Sequence, residues 1–550
     1  VTSSTERPNI LWISLEDTSP RFGCYGDPLA RTPHIDKLAA EGTVYRNAFA
    51  TAGVCSPSRS SIITGMYPTA IGTHHMRTEH TNPYTPELPT PYFPVPPAYV
   101  KTFTEYLRAE GYFCTNNFKT DYQFASPLTA WDEDGTSAHW RHREPGQPFF
   151  AVFNHIYTHE SSMWGNLMRK SYGSSSDVSP VTDPDQVTVP PYLPDTPKSR
   201  AALAKYYDLI EEADRAVGAL LQQLEEDGLA ENTVVILWSD HGEGLPRAKR
   251  WPYDAGIRVP LIVKWPGVVQ AGAVSEQMVS LIDLGPTVLS IAGAAIPYHL
   301  QGQPFLGNRE EPRMYVYATR DRYDESYDMV RAVRDRRFKY IRNYDPQQPY
   351  LQWIKFSHHH PMFQELWRLE LAGQLEGDAR ILMQTQRPAE ELYDCESDPY
   401  EIHNLAADPA YQADLGRLRT AMDDWRMQYD VWGDVPEEQM VRSMWPGGIQ
   451  PQTAAPIFIA INSQNAGIEP AAQETFDEPT AIWLHSATQG ASIAYTTDEG
   501  EAPRWKLYTG PIRLVSSGRT TIRAKAVRLG YKDSEEAVSS FVIVGRSQNL

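Results

Sequence analysis

Cysteine is nearly absent: Cys24, Cys55, Cys114 and Cys395 are the only four in 550 residues, and none sits in a CxxC spacing. That excludes a disulfide-stapled scaffold and a zinc-ribbon site, and each thiol has to be read by itself. Positive charge is also in deficit, with 50 Lys and Arg against 69 Asp and Glu for a net charge of −19. Such a chain has no general attraction for nucleic acid or anionic lipid, although a local basic pocket stays open. No uninterrupted apolar run approaches the length of a bilayer span, so membrane insertion is not expected. The first residues, Val-Thr-Ser-Ser-Thr-Glu-Arg-Pro, carry no charged-then-apolar leader, which fits the mature form of a periplasmic or secreted protein and leaves a cytoplasmic one open. No internal repeat is visible.

What is present is ordinary for a globular protein: 41% hydrophobic and 22% charged residues argue against disorder or a fibre. At roughly 150 residues per domain the length accommodates three to four units. The 44 prolines, with 14 Trp, 30 Tyr and 17 Phe, indicate long ordered loops rich in ring faces. Ring faces suit carbohydrate stacking and protein cores equally.

Four apolar runs, Asn9–Leu15, Phe149–Phe153, Thr233–Trp238 and Pro260–Val263, read as buried parallel strands. Helical spacing lies between them, at Ile35, Leu38 and Ala39, at Phe103, Tyr106 and Leu107, and most clearly from Lys198 to Asp227 before Gly228. Alternating strands and helices predict an α/β sheet. Ligands of such sheets bind beyond the carboxyl ends of the strands, where Glu16 and Asp17 follow the first run and Asp240 and His241 the third. Pro83, Pro86, Pro89, Pro91, Pro94, Pro96 and Pro97 make residues 83–97 a loop, with Tyr84, Tyr92 and Phe93 as a pocket wall. After about Pro304 short strands and a helix from about Tyr411 to Tyr429 predict a smaller α+β part. Residues 446–479 are rich in Gly, Pro, Gln and Ala and read as a linker. In residues 480–550 the alternation of Ile522, Ala524 and Ala526 with Arg523 and Lys525 predicts a β-sandwich.

The sharpest signal is Cys55-Ser56-Pro57-Ser58-Arg59, followed by Thr64-Gly65. This run resembles the C-[ST]-P-S-R signature of the type I sulfatases of the alkaline phosphatase superfamily, in which the cysteine is oxidised to Cα-formylglycine. Pro8-Asn9-Ile10, Thr32-Pro33-His34-Ile35-Asp36 and Glu391-Leu392-Tyr393-Asp394 with Asp398-Pro399 and Asn404-Leu405 extend the resemblance over roughly residues 7 to 430. It implies an α/β, alkaline phosphatase-like sulfatase fold over residues 1–304 with a C-terminal α+β subdomain over 305–445. Residues from about Ala481 to Val544 look like the β-sandwich at the C-termini of chitobiases and hexosaminidases, and imply a carbohydrate context; Trp483, Trp505 and Tyr508 there read as core more readily than as sugar platforms.

The resemblance implies a sulfatase acting on a sulfated carbohydrate through a Cys55-derived formylglycine made by a formylglycine-generating enzyme. A hydrated aldehyde has two geminal hydroxyls, one to attack sulfur and one to eject sulfate afterwards, whereas a serine would be trapped as its ester. The implied metal ligands are Glu16, Asp17, Asp240 and His241 beside Cys55, for calcium, with manganese the alternative. Glu16 and His241 depart from the family's usual Asp and Asn, and imidazole suits transition metals better than calcium. Arg59 is expected to orient the nucleophile, and Lys119 and Lys249 to hold sulfate. Asp121 stands where the family's Gly-Lys-x-His block has histidine and, with His155, is a further candidate substrate contact. His159 is the expected general acid, with His155 as fallback, and His74, His75 and Arg77 are candidate sugar contacts. His358-His359-His360 reads as a surface loop, since adjacent side chains do not point at one centre. Two rivals remain: a phosphonate or phosphodiester hydrolase, motivated by Asp240-His241, and a catalytically inactive sulfated-glycan binding protein.

Overall fold

The computed structural model describes residues 7–164, 178–307, 309–465, 467, 473–500 and 502–544. Its main sheet has eight strands: β1 (Asn9–Leu15), β2 (Thr43–Phe49), β3 (Phe113–Asn117), β4 (Glu133–Asp134), β5 (Phe149–His155), β6 (Thr233–Ser239), β7 (Arg258–Lys264) and β8 (Ala273–Ser280), in the order β4-β3-β5-β1-β6-β7-β2-β8. All seven residues of β1 and of β6 are buried, because helices cover both faces and leave no room for a polar alternation. The 30-residue helix Pro197–Glu226, capped by the Thr196 hydroxyl on the Ser199 N–H, packs its Leu203, Ile210, Val217 and Leu224 face there. Helices Cys55–Thr64, Phe103–Ala109 and Leu284–Ile291 cover the opposite face.

One expectation about this sheet needs correcting. β1, β5 and β6 are parallel neighbours, but β7 is antiparallel to both β6 and β2. Residues 240–257 between β6 and β7 contain only a four-residue helix, Asp254–Ile257, too little for the crossover that a parallel return requires. A short, wholly buried apolar run such as Pro260–Val263 carries no mark of its direction.

A second sheet, β12-β11-β10-β9, is antiparallel and is built from β9 (Val316–Arg320), β10 (Val330–Arg334), β11 (Phe338–Asn343) and β12 (Glu390–Asp394). Helix Gln412–Tyr429 packs on it through Leu418, Met422 and Trp425. The C-terminal module is a sandwich of a three-stranded sheet, β13 (Ile457–Ile461), β15 (Thr480–His485) and β18 (Ile512–Leu514), against five strands, β14 (Gln473–Phe476), β16 (Ser492–Thr496), β17 (Lys506–Leu507), β19 (Gly518–Val527) and β20 (Ala537–Ile543). Ile522, Ala524 and Ala526 are fully buried between the sheets. The stretch 446–479, expected as linker, contributes β13, paired with β15, and β14, paired with β20. Its Gly- and Pro-rich composition hid two short strands whose partners lie far along the chain.

The module is seated on the main domain. Lys101 Nζ donates to Ser492 Oγ at 2.5 Å and Arg108 to the Trp505 carbonyl at 2.8 Å, while Gly490 and Gly530 lie so close to Ala98 and Pro94 that a Cβ would overlap their backbone. The proline-rich segment 83–97 has no helix or strand. Tyr92 leaves the expected pocket wall for the core, 1% exposed, with its hydroxyl on Glu437 at 2.7 Å. Among the described residues no helix is long and apolar enough to cross a membrane.

Candidate active site

The adjacent parallel strands β1 and β6 are in register at Leu15 and Ser239, so the residues that follow them, Glu16-Asp17 and Asp240-His241, emerge side by side. Asp17 N–H donates to Asp240 Oδ1 at 3.2 Å. Into this point runs the first turn of helix Cys55–Thr64, which brings Cys55 Sγ to 3.4 Å from His241 Nε2 and 4.0 Å from Glu16 Oε2. Donor atoms of Asp17, Cys55, Asp240 and His241, all buried, lie within 4.8 Å of one another, and those of Glu16, Asp17, Cys55 and His159 form an overlapping group.

Cations surround the carboxylates. Arg59, one turn along the helix from Cys55, is 3% exposed; it donates to Asp240 Oδ2 at 3.1 Å, to Asn154 Oδ1 at 3.0 Å, to Ser14 Oγ at 3.3 Å and closely to Glu16. Lys119 Nζ bonds Glu16 Oε2 at 2.5 Å, and Lys249 Nζ bonds both oxygens of Asp17 at 3.0 and 2.8 Å and approaches Glu160 at 3.1 Å. Burial raises the pKa of Asp17, but the charges of Lys249, His159 and His241 outweigh it and hold the carboxyl well below its usual range. For His241 burial works against the proton, yet Asp240 and Asp17 prevail and drive its pKa upward. Its Nδ1 lies 2.9 Å from the Gly242 carbonyl, to which it donates, which turns Nε2 toward the carboxylates. Three carboxylates matched by protons and lysines are the donor set a divalent cation takes, so the residues present fit one.

The local backbone is shaped for this convergence. Asp17, Arg77, Asp121 and Arg250 have φ of 46°, 62°, 53° and 78°, a conformation that costs about 1–3 kcal/mol per residue and persists only where the surroundings enforce it. Gly244 lets its loop press against the site, since a Cβ there would lie 2.7 Å from Glu160 Cβ and 3.0 Å from Asp17 Oδ2.

Beside Cys55 opens a cavity of about 330 Å³ lined by Arg77, Lys119, Asp121, His159, Ser161 and Phe356, among others. His159 accepts the Ser161 N–H on Nδ1, which leaves Nε2 as its protonated nitrogen. Burial and then Lys249 push its pKa down to about 4. Asp121 accepts a close hydrogen bond from Ser56 Oγ and lies 3.6 Å from Lys119.

Residues 8–126 and 136–294 match the family model described as Sulfatase. The chain belongs to the sulfatase family. Residues 242–355 match the model for the C-terminal part of N-sulphoglucosamine sulphohydrolase, and 470–540 that for the chitobiase/beta-hexosaminidase C-terminal domain. An ulvan-active sulfatase of Formosa agariphila is 41% identical over 562 residues, covering 96% of this chain and 91% of its own. Human N-sulphoglucosamine sulphohydrolase is 29% identical over 483 residues, covering 80% and 94%. Among solved structures, one described in complex with its substrate D-glucosamine-2-N,6-O-disulfate aligns with a TM-score of 0.53 at 17% identity, over 79% of this chain and 100% of its own. The phosphonate monoester hydrolase of Agrobacterium radiobacter aligns at 0.55 and 18% identity, over 77% and 96%. At these identities both likenesses concern the fold.

The sulfatase thus brings together Cys55, Glu16, Asp17, Arg59, Lys119, Asp121, His159, Asp240, His241 and Lys249, with Arg77 at the cavity wall. Three histidines expected at the substrate are elsewhere. His74 and His75 are 1% and 5% exposed, and His75 Nδ1 accepts the Arg322 N–H; neither lines the cavity. His155 follows Asn154 on β5, and because side chains alternate along a strand it points away from the face where Asn154 meets Arg59. Arg59 bonds the carboxylates rather than the thiol, so it positions the ligands more directly than the nucleophile. Of the histidine triplet, His358 bonds the Ile354 carbonyl and accepts from Trp367, His359 packs on Trp164, and His360 caps Met362, so they share no centre. Sequence reasoning passed over Glu160 and Arg250, a bidentate pair at 2.7 and 3.0 Å behind Lys249; the position of Glu160 directly after His159 was the available signal. A further buried group, Asp254, Cys395 and Glu401, already has its charge met by Lys339 and Arg334.

Proposed function

We propose that this sulfatase releases inorganic sulfate from an ester on a sulfated carbohydrate, with Cys55 converted to Cα-formylglycine as nucleophile. The observation that carries the reading is the meeting of buried Cys55, three buried carboxylates, Arg59 and Lys249 with the half-buried Lys119 at one point. The carbohydrate substrate is supported by the 41% identical relative, which is named for activity on ulvan, and by the match of the terminal module. An N-sulfate is the less favoured variant. A polysaccharide is too large to enter a cell intact, which favours a periplasmic or secreted enzyme, and conversion of Cys55 requires a formylglycine-generating partner.

Glu16, Asp17, Asp240 and His241, beside residue 55, would hold a divalent cation, and the predominance of oxygen donors favours calcium over manganese. Bound there, the cation would lower the pKa of an attacking oxygen and offset sulfate charge. The formylglycine hydrate supplies one hydroxyl for attack on sulfur and a second whose deprotonation expels sulfate and restores the aldehyde. The chain's own side chains do the rest. Arg59 locks Glu16 and Asp240 in place. Lys119 and Lys249, which bond Glu16 and Asp17 beside Cys55, would bind the sulfate oxygens and the charge that grows on them. His159 stands where it can protonate the sugar oxygen as the ester bond breaks. Burial and Lys249 hold its pKa down to about 4, and an anion bound next to it would raise it, so binding the ester would arm the acid. Asp121, through Ser56, and Arg77 shape the cavity wall.

The division into residues 1–304, 305–445 and a terminal module follows the same reading, with the start of the module moved to about residue 456 by the pairing of β13. The phosphonate or phosphodiester alternative rests on His241, a nitrogen donor that suits manganese. Ion chromatography of the released anion decides. Protein co-produced with a formylglycine-generating enzyme is incubated with ulvan oligosaccharides, other sulfated oligosaccharides and phosphodiesters. Sulfate release that disappears in Cys55→Ala is the expected result. Release of an alcohol and a phosphate monoester from the diesters, with no sulfate released, would transfer the chain to the diesterase reading, and glycan binding without turnover by converted protein would make it a binding protein.

A further inference from the structure

Arg77 and Phe356 form a wall shared by two cavities, the one beside Cys55 and a second of about 380 Å³. Arg322, Asp324, Glu325, Lys355, Asn82 and His80 contribute to the second. Most of its charges are already matched. Arg322 makes a bidentate pair with Glu437 at 2.6 and 2.7 Å, and Asp324 lies 3.6 Å from Arg77 and 3.9 Å from Arg250. Glu325 accepts from Asn82 Nδ2 at 2.5 Å and from the Lys355 N–H at 3.3 Å, which ties the loop around residue 82 to the loop around residue 355.

One cation is left over. Among the described residues the Lys355 ammonium makes no ion pair; it lies 4.8 Å from the centre of the Tyr84 ring. Tyr84 and Trp353 meet edge to face at 5.6 Å and are 60% and 47% exposed. Two adjoining exposed rings from separate loops, with an unmatched ammonium above one of them, offer an apolar face and a charge within one ring's width. Aromatic faces take the C–H surface of a sugar, and an ammonium takes an anion. In a chain of net charge −19 an unpaired lysine beside the active cavity works against the overall field.

We propose that this second cavity is a subsite for the neighbouring residue of the substrate chain, a sugar bearing a carboxylate or a sulfate, whose anion is recognised by Lys355 and whose ring rests on Tyr84 and Trp353. The inference builds on the sulfated-carbohydrate reading and adds that the substrate is an oligosaccharide with a second anionic residue beside the one that loses sulfate. The wall formed by Arg77 then lies between the two sugar positions.

The test compares converted wild-type enzyme with Lys355→Met, Lys355→Arg and Tyr84→Ala on two substrates: a sulfated ulvan oligosaccharide and an aryl sulfate too small to reach Lys355. The expected result is that the ratio of kcat/KM on the oligosaccharide to that on the aryl sulfate falls about tenfold in Lys355→Met, the scale of one lost charged hydrogen bond, falls in Tyr84→Ala, and recovers in Lys355→Arg. In the Cys55→Ala background, calorimetric titration with the oligosaccharide should show the same weakening of Kd for Lys355→Met, independently of turnover. Carboxyl-reduced oligosaccharide separates the two anions: if it loses the same factor the recognised group is the carboxylate, and if it keeps its rate the group is a second sulfate. Ratios and Kd unchanged in Lys355→Met and Tyr84→Ala, with wild type active on the oligosaccharide, would overturn the subsite alone. Wild type that hydrolyses the aryl sulfate but none of the sulfated oligosaccharides would overturn the carbohydrate reading and the subsite together.

Discussion

Replacing Glu437 by Gln should loosen the strap that holds the substrate-side loops. Glu437 opens the helix Glu437–Met444, its side chain is 0% exposed, and its carboxylate receives both arms of Arg322, itself 1% exposed, together with the hydroxyls of Tyr92 and Tyr327. Breaking one side of a buried ion pair costs about 3–5 kcal/mol because the remaining charge stays buried. An independent route gives a similar figure. Burial raises the carboxyl's pKa, but His75 and Arg322 outweigh it and bring it from 4.5 to about 2, which corresponds to roughly 3 kcal/mol of folded-state preference for the ionised form. Since the folded pKa is depressed, that stability is fully present above about pH 4.5 and is lost as pH falls toward 2. Amide hydrogen exchange of helix Glu437–Met444 should therefore accelerate about 100-fold in Glu437→Gln at neutral pH. The acid-induced loss of thermal stability in wild type should be shallower in the variant. In a double-mutant cycle with Arg322→Met, the second substitution should recover part of the loss. Exchange within about threefold of wild type, an unchanged acid slope, or strict additivity with Arg322→Met would refute the account of Glu437 as the charge that holds Arg322 and, through it, the wall of the second cavity.

Other outcomes follow from the site. His159→Ala should lower sulfate release from a sugar ester by about 10²–10⁴-fold but cost far less on an aryl sulfate, whose leaving group departs without a proton; equal losses on both would remove His159 as the acid. Lys249→Met should reduce kcat/KM by about 10²–10³-fold, the usual cost of losing one fixed donor to developing charge, with sulfate inhibition weakened in parallel. Treatment with a chelator should lower both activity and melting temperature, and calcium should restore them; Asp240→Asn should abolish the calcium-dependent rise in melting temperature. A chelator without effect would show that Glu16, Asp17, Asp240 and His241 need no ion.

Much of the site was legible because strand ends are legible. The apolar runs of β1 and β6 stop where Glu16-Asp17 and Asp240-His241 begin, and parallel register then sets the two pairs side by side. Arg59 was expected beside the nucleophile because the Cys55–Arg59 run resembles the family signature, and the helix Cys55–Thr64 sets it one turn on from Cys55. What stayed hidden depends on facing and on partners. His155 is one residue past Asn154 and therefore on the other side of β5, a parity that requires knowing where the strand begins. His74 and His75 look like an exposed polar pair, yet Arg322, Arg331 and Glu437 gather round them in a buried electrostatic network. Glu160 with Arg250, and Glu437 with Arg322, are pairs separated by 90 and 115 residues, and no local pattern announces such partners. The direction of β7 and the strands within 446–479 escaped for the same reason: pairing is a long-range property, and short or fully buried segments carry little periodicity.

Every residue of the helix Cys55–Thr64 is buried, and Cys55 itself is 1% exposed. If Cys55 is converted to formylglycine as proposed, the enzyme that oxidises it would need this segment in its own cleft, and the finished fold keeps it buried. On that proposal maturation would be a race decided during synthesis: a chain whose main sheet closed first would be sealed with an unconverted cysteine, and a later supply of the maturation enzyme would recover it only after unfolding. The specific activity of a preparation would then record how that race was run in the producing cell, independent of how well folded the protein is.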